Sequence, residues 1–246
     1  MSDAPLVQHY KRAWRDPELV VLEGFHALKH ALRFGAEVLE AVASQPQKLE
    51  ELAAELAPDL AGTLAERVTP VGEEVLTELV PQAPYTGVVA IARRPEVDVT
   101  AALRDGRPGP VVLLEEPRNL GNMGACVRVA AAADAAGVLV TGSNDPWHAE
   151  AVRAAAGLNF ALPVRRIDAL PSSDRPLVAI DPEGEDLRPA GLPPRAVLAF
   201  GTERHGLSAE LLERADLRVG IPMRAGVSSL NLATTVSAVL FAQRLA

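Results

Sequence analysis

Apolar residues along the chain follow two rhythms, and the change between them falls near residue 110. Upstream, hydrophobic positions recur mainly at helical spacing. Leu28, Ala31, Leu32 and Ala36 mark one helical face within a strand-or-turn-then-helix unit over 19–35. Residues 47–57 and 72–80 keep the same period, with Pro46, Pro58 and Pro81 as breakers. Val88–Ala92 is a short apolar, β-branched run and predicts a strand. Residues 93–110 are charged and rich in Pro and Gly, which predicts a linker. Downstream, apolar runs at Val111–Leu114, Val138–Val140, Leu177–Ile180, Val197–Phe200 and Leu217–Ile221 alternate with helical stretches over 123–136, 146–156, 208–214 and 230–245. Continuous apolar strands separated by helices predict an α/β fold with a mostly parallel sheet covered on both faces. In such sheets ligands bind beyond the carboxyl ends of the strands. The expected organisation is a smaller α/β domain over 1–92, a linker over 93–110 and a second domain over 111–246.

Composition narrows the picture. The 246 residues fit one large or two small domains, and 48% hydrophobic with 23% charged residues is ordinary globular usage. No apolar run is long and uncharged enough for a membrane helix, and the N-terminus lacks the apolar core of a secretory signal, so neither is expected. Cys126 is the single cysteine, which excludes a disulfide scaffold and predicts a cytoplasmic location. The five histidines (His9, His26, His30, His148 and His205) are scattered, so no metal site is expected. The net charge of −8 argues against binding nucleic acid by bulk electrostatics. The excess is local: residues 37–78 hold ten acids against Lys48 and Arg67. Any RNA contact should avoid that face and use Lys11, Arg12, Arg15, Lys29, Arg33 and arginines near the site.

Three strand-to-helix transitions carry candidate chemistry. The first runs Glu116-Pro-Arg-Asn-Leu-Gly-Asn-Met-Gly-Ala-Cys-Val-Arg128, read as a loop of Asn119, Gly121, Asn122 and Gly124 leading into a helix that carries Arg128. It lacks the glycine spacing of a dinucleotide-binding turn, and helix capping by Asn explains it equally well. The second, Leu198-Ala-Phe-Gly-Thr-Glu-Arg-His-Gly-Leu-Ser208, is a Gly-framed polar turn ending in Ser208 as a helix cap. Here Glu203 is a candidate for bracing the turn, and His205 reads more simply as a solvated side chain than as a base. The third, Ile221-Pro-Met-Arg-Ala-Gly-Val-Ser-Ser-Leu-Asn231, is a strand end and loop in which Ser228 or Ser229 is expected to cap the last helix.

Together, in this order and spacing, the three motifs resemble the SpoU (TrmH-like) branch of the SPOUT RNA methyltransferases. The resemblance covers roughly residues 110–246, and Leu22-Glu-Gly-Phe-His-Ala-Leu28 with Thr86-Gly-Val-Val-Ala90 looks like the L30e-like substrate-binding domain that often precedes that domain. The resemblance implies S-adenosylmethionine as cofactor, a ribose 2′-hydroxyl of RNA as acceptor, a deep trefoil knot and a homodimer whose active site is completed across the subunit interface. The L30e-like domain favours 23S ribosomal RNA over transfer RNA; a non-catalytic RNA-binding module is the rival of a different class. Carried over by motif, Phe200, Gly201, Ile221, Met223 and Leu230 would hold the cofactor. Arg128, Asn122, Glu203, Ser229 and Asn231 would form the catalytic set. Arg128 acts either as a proton acceptor forced neutral or, more simply, as a permanent cation beside the developing alkoxide. Cys126, on an apolar helix face without an acidifying neighbour, reads as a structural thiol. All of this requires three loops distant in sequence to meet at one pocket beside Arg128.

Overall fold

The computed structural model describes residues 4–202 and 205–245, Pro189 by its backbone alone. They form two compact units, the first comprising residues up to Glu96 together with Ala156–Ala161, the second Val97–Ala155 and Leu162 onward. No helix among the described residues is long and apolar enough to cross a membrane.

In the first unit, the elements in chain order are α1 (Ala4–Ala13), β1 (Leu19–Glu23), α2 (Phe25–Arg33), β2 (Val38–Ala43), α3 (Pro46–Leu56), α4 (Ala61–Arg67), β3 (Thr69–Pro70), α5 (Glu73–Leu79) and β4 (Val88–Arg93). The sheet runs β1-β4-β2-β3, antiparallel except for the short β2–β3 pair. Its core joins Val7 and Tyr10 of α1, Leu76 and Leu79 of α5, and the inward residues Val21, Val89 and Ile91. Tyr10 is fully buried and donates its hydroxyl to Val89 O at 3.1 Å, and burial pushes the phenol's pKa well above its ordinary value. The turn at Ala156–Ala161 seats on α2. His30 Nδ1 lies 2.6 Å from Ala156 O, and Gly157 comes so near Ala27 that a Cβ would stand 2.5 Å from its carbonyl oxygen.

The second unit contains α6 (Val99–Arg104), β5 (Val111–Leu114), α7 (Leu120–Ala132), β6 (Gly137–Val140), α8 (Ala149–Ala154), β7 (Val164–Arg166), β8 (Leu177–Asp186), α9 (Leu187–Ala190), β9 (Val197–Phe200), α10 (Ala209–Arg214), β10 (Leu217–Gly220) and α11 (Leu232–Leu245). Its six strands are all parallel, in the order β10-β8-β9-β5-β6-β7. The continuous apolar runs are buried along their whole length in β5, β6 and β9, as expected for strands covered on both faces.

Two features depart from the sequence pattern. The stretch expected to be a linker contains α6, because Leu103 packs into the core with Val99 against it. Its far end is fixed by Arg175, a residue only 4% exposed, whose guanidinium donates to the carbonyls of Leu103, Asp105 and Gly109 at 2.8–2.9 Å. The second departure is in β8. Its pairing with β10 jumps from Ala179↔Arg218 to Glu185↔Val219, so residues 180–184 leave the ladder. An Asx turn, in which Asp181 Oδ1 accepts from Glu183 N–H at 2.8 Å, shapes this excursion.

Helices α7 and α8 meet at Gly124, where a Cβ would lie 2.1 Å from Ala151 O and 2.7 Å from Ala154 Cβ. Gly124→Ala gains about 1 kcal/mol of helix propensity. Backbone displacement outweighs that gain, since overpacking costs about 1–3 kcal/mol and more against a carbonyl. Urea unfolding should show a net loss of about 1–2 kcal/mol at unchanged slope. A stability equal to or above wild type would contradict the backbone contact.

Candidate active site

Three segments leave carboxyl ends of the same parallel sheet, after β5, β9 and β10, and are tied together there. Ahead of α7, Asn119 Oδ1 accepts from Asn122 N–H at 2.7 Å and Asn119 O accepts from Met123 N–H at 3.0 Å. This cap starts the helix at Leu120, so Gly121, Asn122 and Gly124 are helical rather than in the expected loop. Gly124 serves close helix packing instead of a turn. After β9, Thr202 and Gly206 exchange two backbone hydrogen bonds at 3.0 and 3.1 Å. Gly201 crosses so near the returning strand that a Cβ would stand 2.0 Å from Gly206 C. Ser208 caps α10 as expected, and its own N–H donates to Glu115 Oε2 at 2.7 Å, joining the second motif to the first.

The third segment corrects an expectation. Asn231, not Ser228 or Ser229, caps α11: its Oδ1 accepts from Ala233 N–H at 2.9 Å. Its Nδ2 donates to Asn122 Oδ1 at 3.1 Å. One asparagine therefore starts a helix and clasps the other motif, which leaves Ser228 and Ser229 available to face the cavity between the segments.

That cavity has a volume of about 370 Å³, within the range of small-molecule sites. Phe200, Gly201, Ile221, Met223, Ser229 and Leu230, all expected from the sequence, line it. So do Ile180, Asp181 and Pro182 of the β8 excursion, together with Thr202, Gly206, Ser228, Leu232 and Thr235, which the motif reading did not single out. The readable signal for the first three was position: they follow a predicted apolar strand at its carboxyl end.

Asp181 is the one ionisable side chain lining the cavity among the described residues. Its carboxylate, 12% exposed, pairs with Arg218 at 2.7 Å, and Arg218 also reaches Glu183 at 2.9 Å. The hydrogen bond to Asp181 is the main reason the guanidinium holds its proton even more firmly than usual. Within 221–230, the one backbone hydrogen bond among the described residues is Val227 N–H to Arg224 O at 3.0 Å. Most backbone donors and acceptors of the segment thus have no backbone partner among the described residues, beside an apolar floor.

Arg128 is exposed on α7 and does not line the cavity of its own chain, and its guanidinium makes no hydrogen bond among the described residues. Glu203 lies outside the described residues. His205 is exposed, with its backbone N–H on Thr202 Oγ1, and Cys126 is buried. No group of three or more His, Cys, Asp or Glu among the described residues could hold a metal ion.

A model of the SpoU rRNA Methylase family matches residues 109–241. The chain is 33% identical over 198 residues to an uncharacterized tRNA/rRNA methyltransferase of Mycobacterium bovis, covering 75% of this chain and 68% of that one. It is 31% identical over 142 residues to an uncharacterized tRNA/rRNA methyltransferase of Synechocystis, covering 54% and 52%. It is 31% identical over 169 residues to a 23S rRNA (uridine(2479)-2′-O)-methyltransferase of Streptomyces viridochromogenes, covering 63% and 58%. The chain thus spans 52–68% of the length of these curated relatives. Among solved structures, an AdoMet-bound rRNA methyltransferase of Sinorhizobium meliloti superposes with a TM-score of 0.75 at 25% identity, covering 100% of this chain and 96% of that one. On the strength of the family match across the second unit, the chain belongs to the SpoU rRNA methylase family.

Proposed function

We propose that the chain transfers a methyl group from S-adenosylmethionine to a ribose 2′-hydroxyl of RNA, with 23S ribosomal RNA as the substrate class. The observation that carries this reading is the meeting of the second and third motif segments and the β8 excursion on one cavity with an apolar floor, with the first motif tied to the third by the Asn231–Asn122 hydrogen bond. The residues present suit the cofactor. Ile180, Phe200, Ile221 and Leu230 offer apolar faces to an adenine, and the unpaired backbone of 221–230 offers hydrogen bonds to its edge. When bound, S-adenosylmethionine supplies a sulfonium methyl group that is already activated for transfer. The rRNA assignment follows the curated relative that acts on 23S rRNA and the L30e-like reading of the first unit. A cytoplasmic location and a trefoil knot through the second unit belong to the same proposal.

The chain's own task is then placement. Holding acceptor and donor in line contributes roughly 7–11 kcal/mol in favourable cases. Asn122, tied to the third segment by Asn231, is assigned the orienting role. The exposed Arg128 points to a homodimer in which it completes the cavity of the partner subunit. A guanidinium is a permanent cation, so clamping the acceptor phosphate and stabilising the developing alkoxide is its simplest role.

Mapping ribose methylation after incubating the protein with ribosomal RNA and S-adenosylmethionine tests the whole reading, which fails if no 2′-O-methyl group forms. Gly201→Ala forces the turn apart and should weaken cofactor binding at least about tenfold by calorimetry, about 1.4 kcal/mol. Arg128→Ala should lower the transfer rate about 100- to 1000-fold with cofactor affinity unchanged. At a cofactor concentration that leaves Gly201→Ala largely unloaded, mixing the two impaired variants should raise activity above the sum of the two alone, because mixed dimers hold one site with an intact Gly201 turn and the partner's Arg128. No recovery on subunit exchange would return Arg128 to its own chain's site.

A further inference from the structure

We infer that Tyr85 and Lys48 of the first unit form a stacking platform for an unpaired nucleobase of the substrate, an inference that rests on RNA being that substrate. Tyr85 is 88% exposed, more than any other large apolar side chain among the described residues, whereas the other tyrosine, Tyr10, is fully buried. A solvent-facing ring usually sits on a mobile loop. This one sits on a pinned turn: Gly87 N–H closes onto Pro84 O at 2.8 Å, and Ser44 N–H donates to Gly87 O at 2.9 Å. On the other side Phe25 N–H donates to Thr86 Oγ1 at 3.0 Å. Gly87 has φ +65°, and a Cβ there would stand 2.9 Å from Ser44 Oγ, so the turn is fitted closely to β2's end.

The ring is fixed as well. The Lys48 ammonium lies 3.4 Å from the ring centroid and donates to Tyr85 O at 2.6 Å. The cation covers one face and leaves the other to solvent. A ring held at both ends loses little freedom when a partner stacks on it, and a cation behind it favours an electron-rich partner in front.

Charge selects the occupant. Lys48 is one of two bases in the stretch 37–78, which holds ten acids. That surface repels a phosphate backbone, but it does not repel the neutral face of a base. Stacking is therefore the contact this unit can make with RNA where electrostatic grip fails, and it requires a base free of its helix.

The test uses the full chain, a short unstructured RNA oligonucleotide, and the same oligonucleotide annealed to its complement. Tyr85→Ala should weaken binding of the single strand about 5- to 100-fold, and Tyr85→Phe should leave it within about twofold, since the ring face is kept. Duplex binding and the salt dependence of affinity should not change, because no phosphate contact is lost. With deproteinised ribosomal RNA, Tyr85→Ala should raise KM at constant kcat, and unchanged S-adenosylmethionine affinity reports an intact fold. Wild-type affinity for the single strand in Tyr85→Ala, in a protein that methylates RNA, overturns the platform alone. Methylation of no RNA by a wild-type protein that still binds the single strand through Tyr85 overturns the enzymatic reading alone. Absence of RNA binding by the wild type overturns both.

Discussion

Parallel pairing of β9 with β5 on one side and β8 on the other is the constraint from which the site follows. Val112, Leu198 and Val178 stand in one register across three strands that are far apart in sequence. Parallel strands send their chain continuations out of the same edge, so the segments after residues 114, 180 and 200 must emerge side by side. The site needs no long-range electrostatic design to assemble. Ladder hydrogen bonds and apolar burial bring its parts together, and side chains then refine the meeting.

The refinement is done by amides and small residues rather than by ion pairs. Asn119 sets where α7 begins, Asn231 sets where α11 begins, and the bond from Asn231 to Asn122 locks the two helix starts together. Glycines at 124 and 201 let backbones approach closer than any side chain permits. Asn119 and Asn231 cap helices, and Asn231 also joins the two helix starts through Asn122.

Much of this was legible in the sequence, for definable reasons. The strands of the second unit are buried on both faces, so their apolar runs are continuous and easy to read. Six of the cavity-lining residues belong to Gly- and Pro-marked strand ends with recognisable motifs. What escaped has a physical cause in each instance. Strand β2 carries Glu40 within an acidic stretch, which masks its apolar character. The excursion at 180–184 depends on a register jump against β10, a partner more than thirty residues away. Helix α6 hides in a Pro- and Gly-rich segment because it needs only Leu103 and Val99 to dock. The start of α7 was placed late because glycines at 121 and 124 look like loop residues until the neighbour they pack against is known.

Among the described residues the Arg175 guanidinium hydrogen-bonds only main-chain oxygens, those of Leu103, Asp105 and Gly109. An anchor of this kind is blind to the identity of what it holds. Substitutions at exposed positions between 104 and 108 can accumulate without loosening it, whereas replacing Arg175 removes three hydrogen bonds at once and leaves Arg195 alone on Asp105 O. Tolerance to drift in that stretch and intolerance at one distant position are thus two sides of the same geometry.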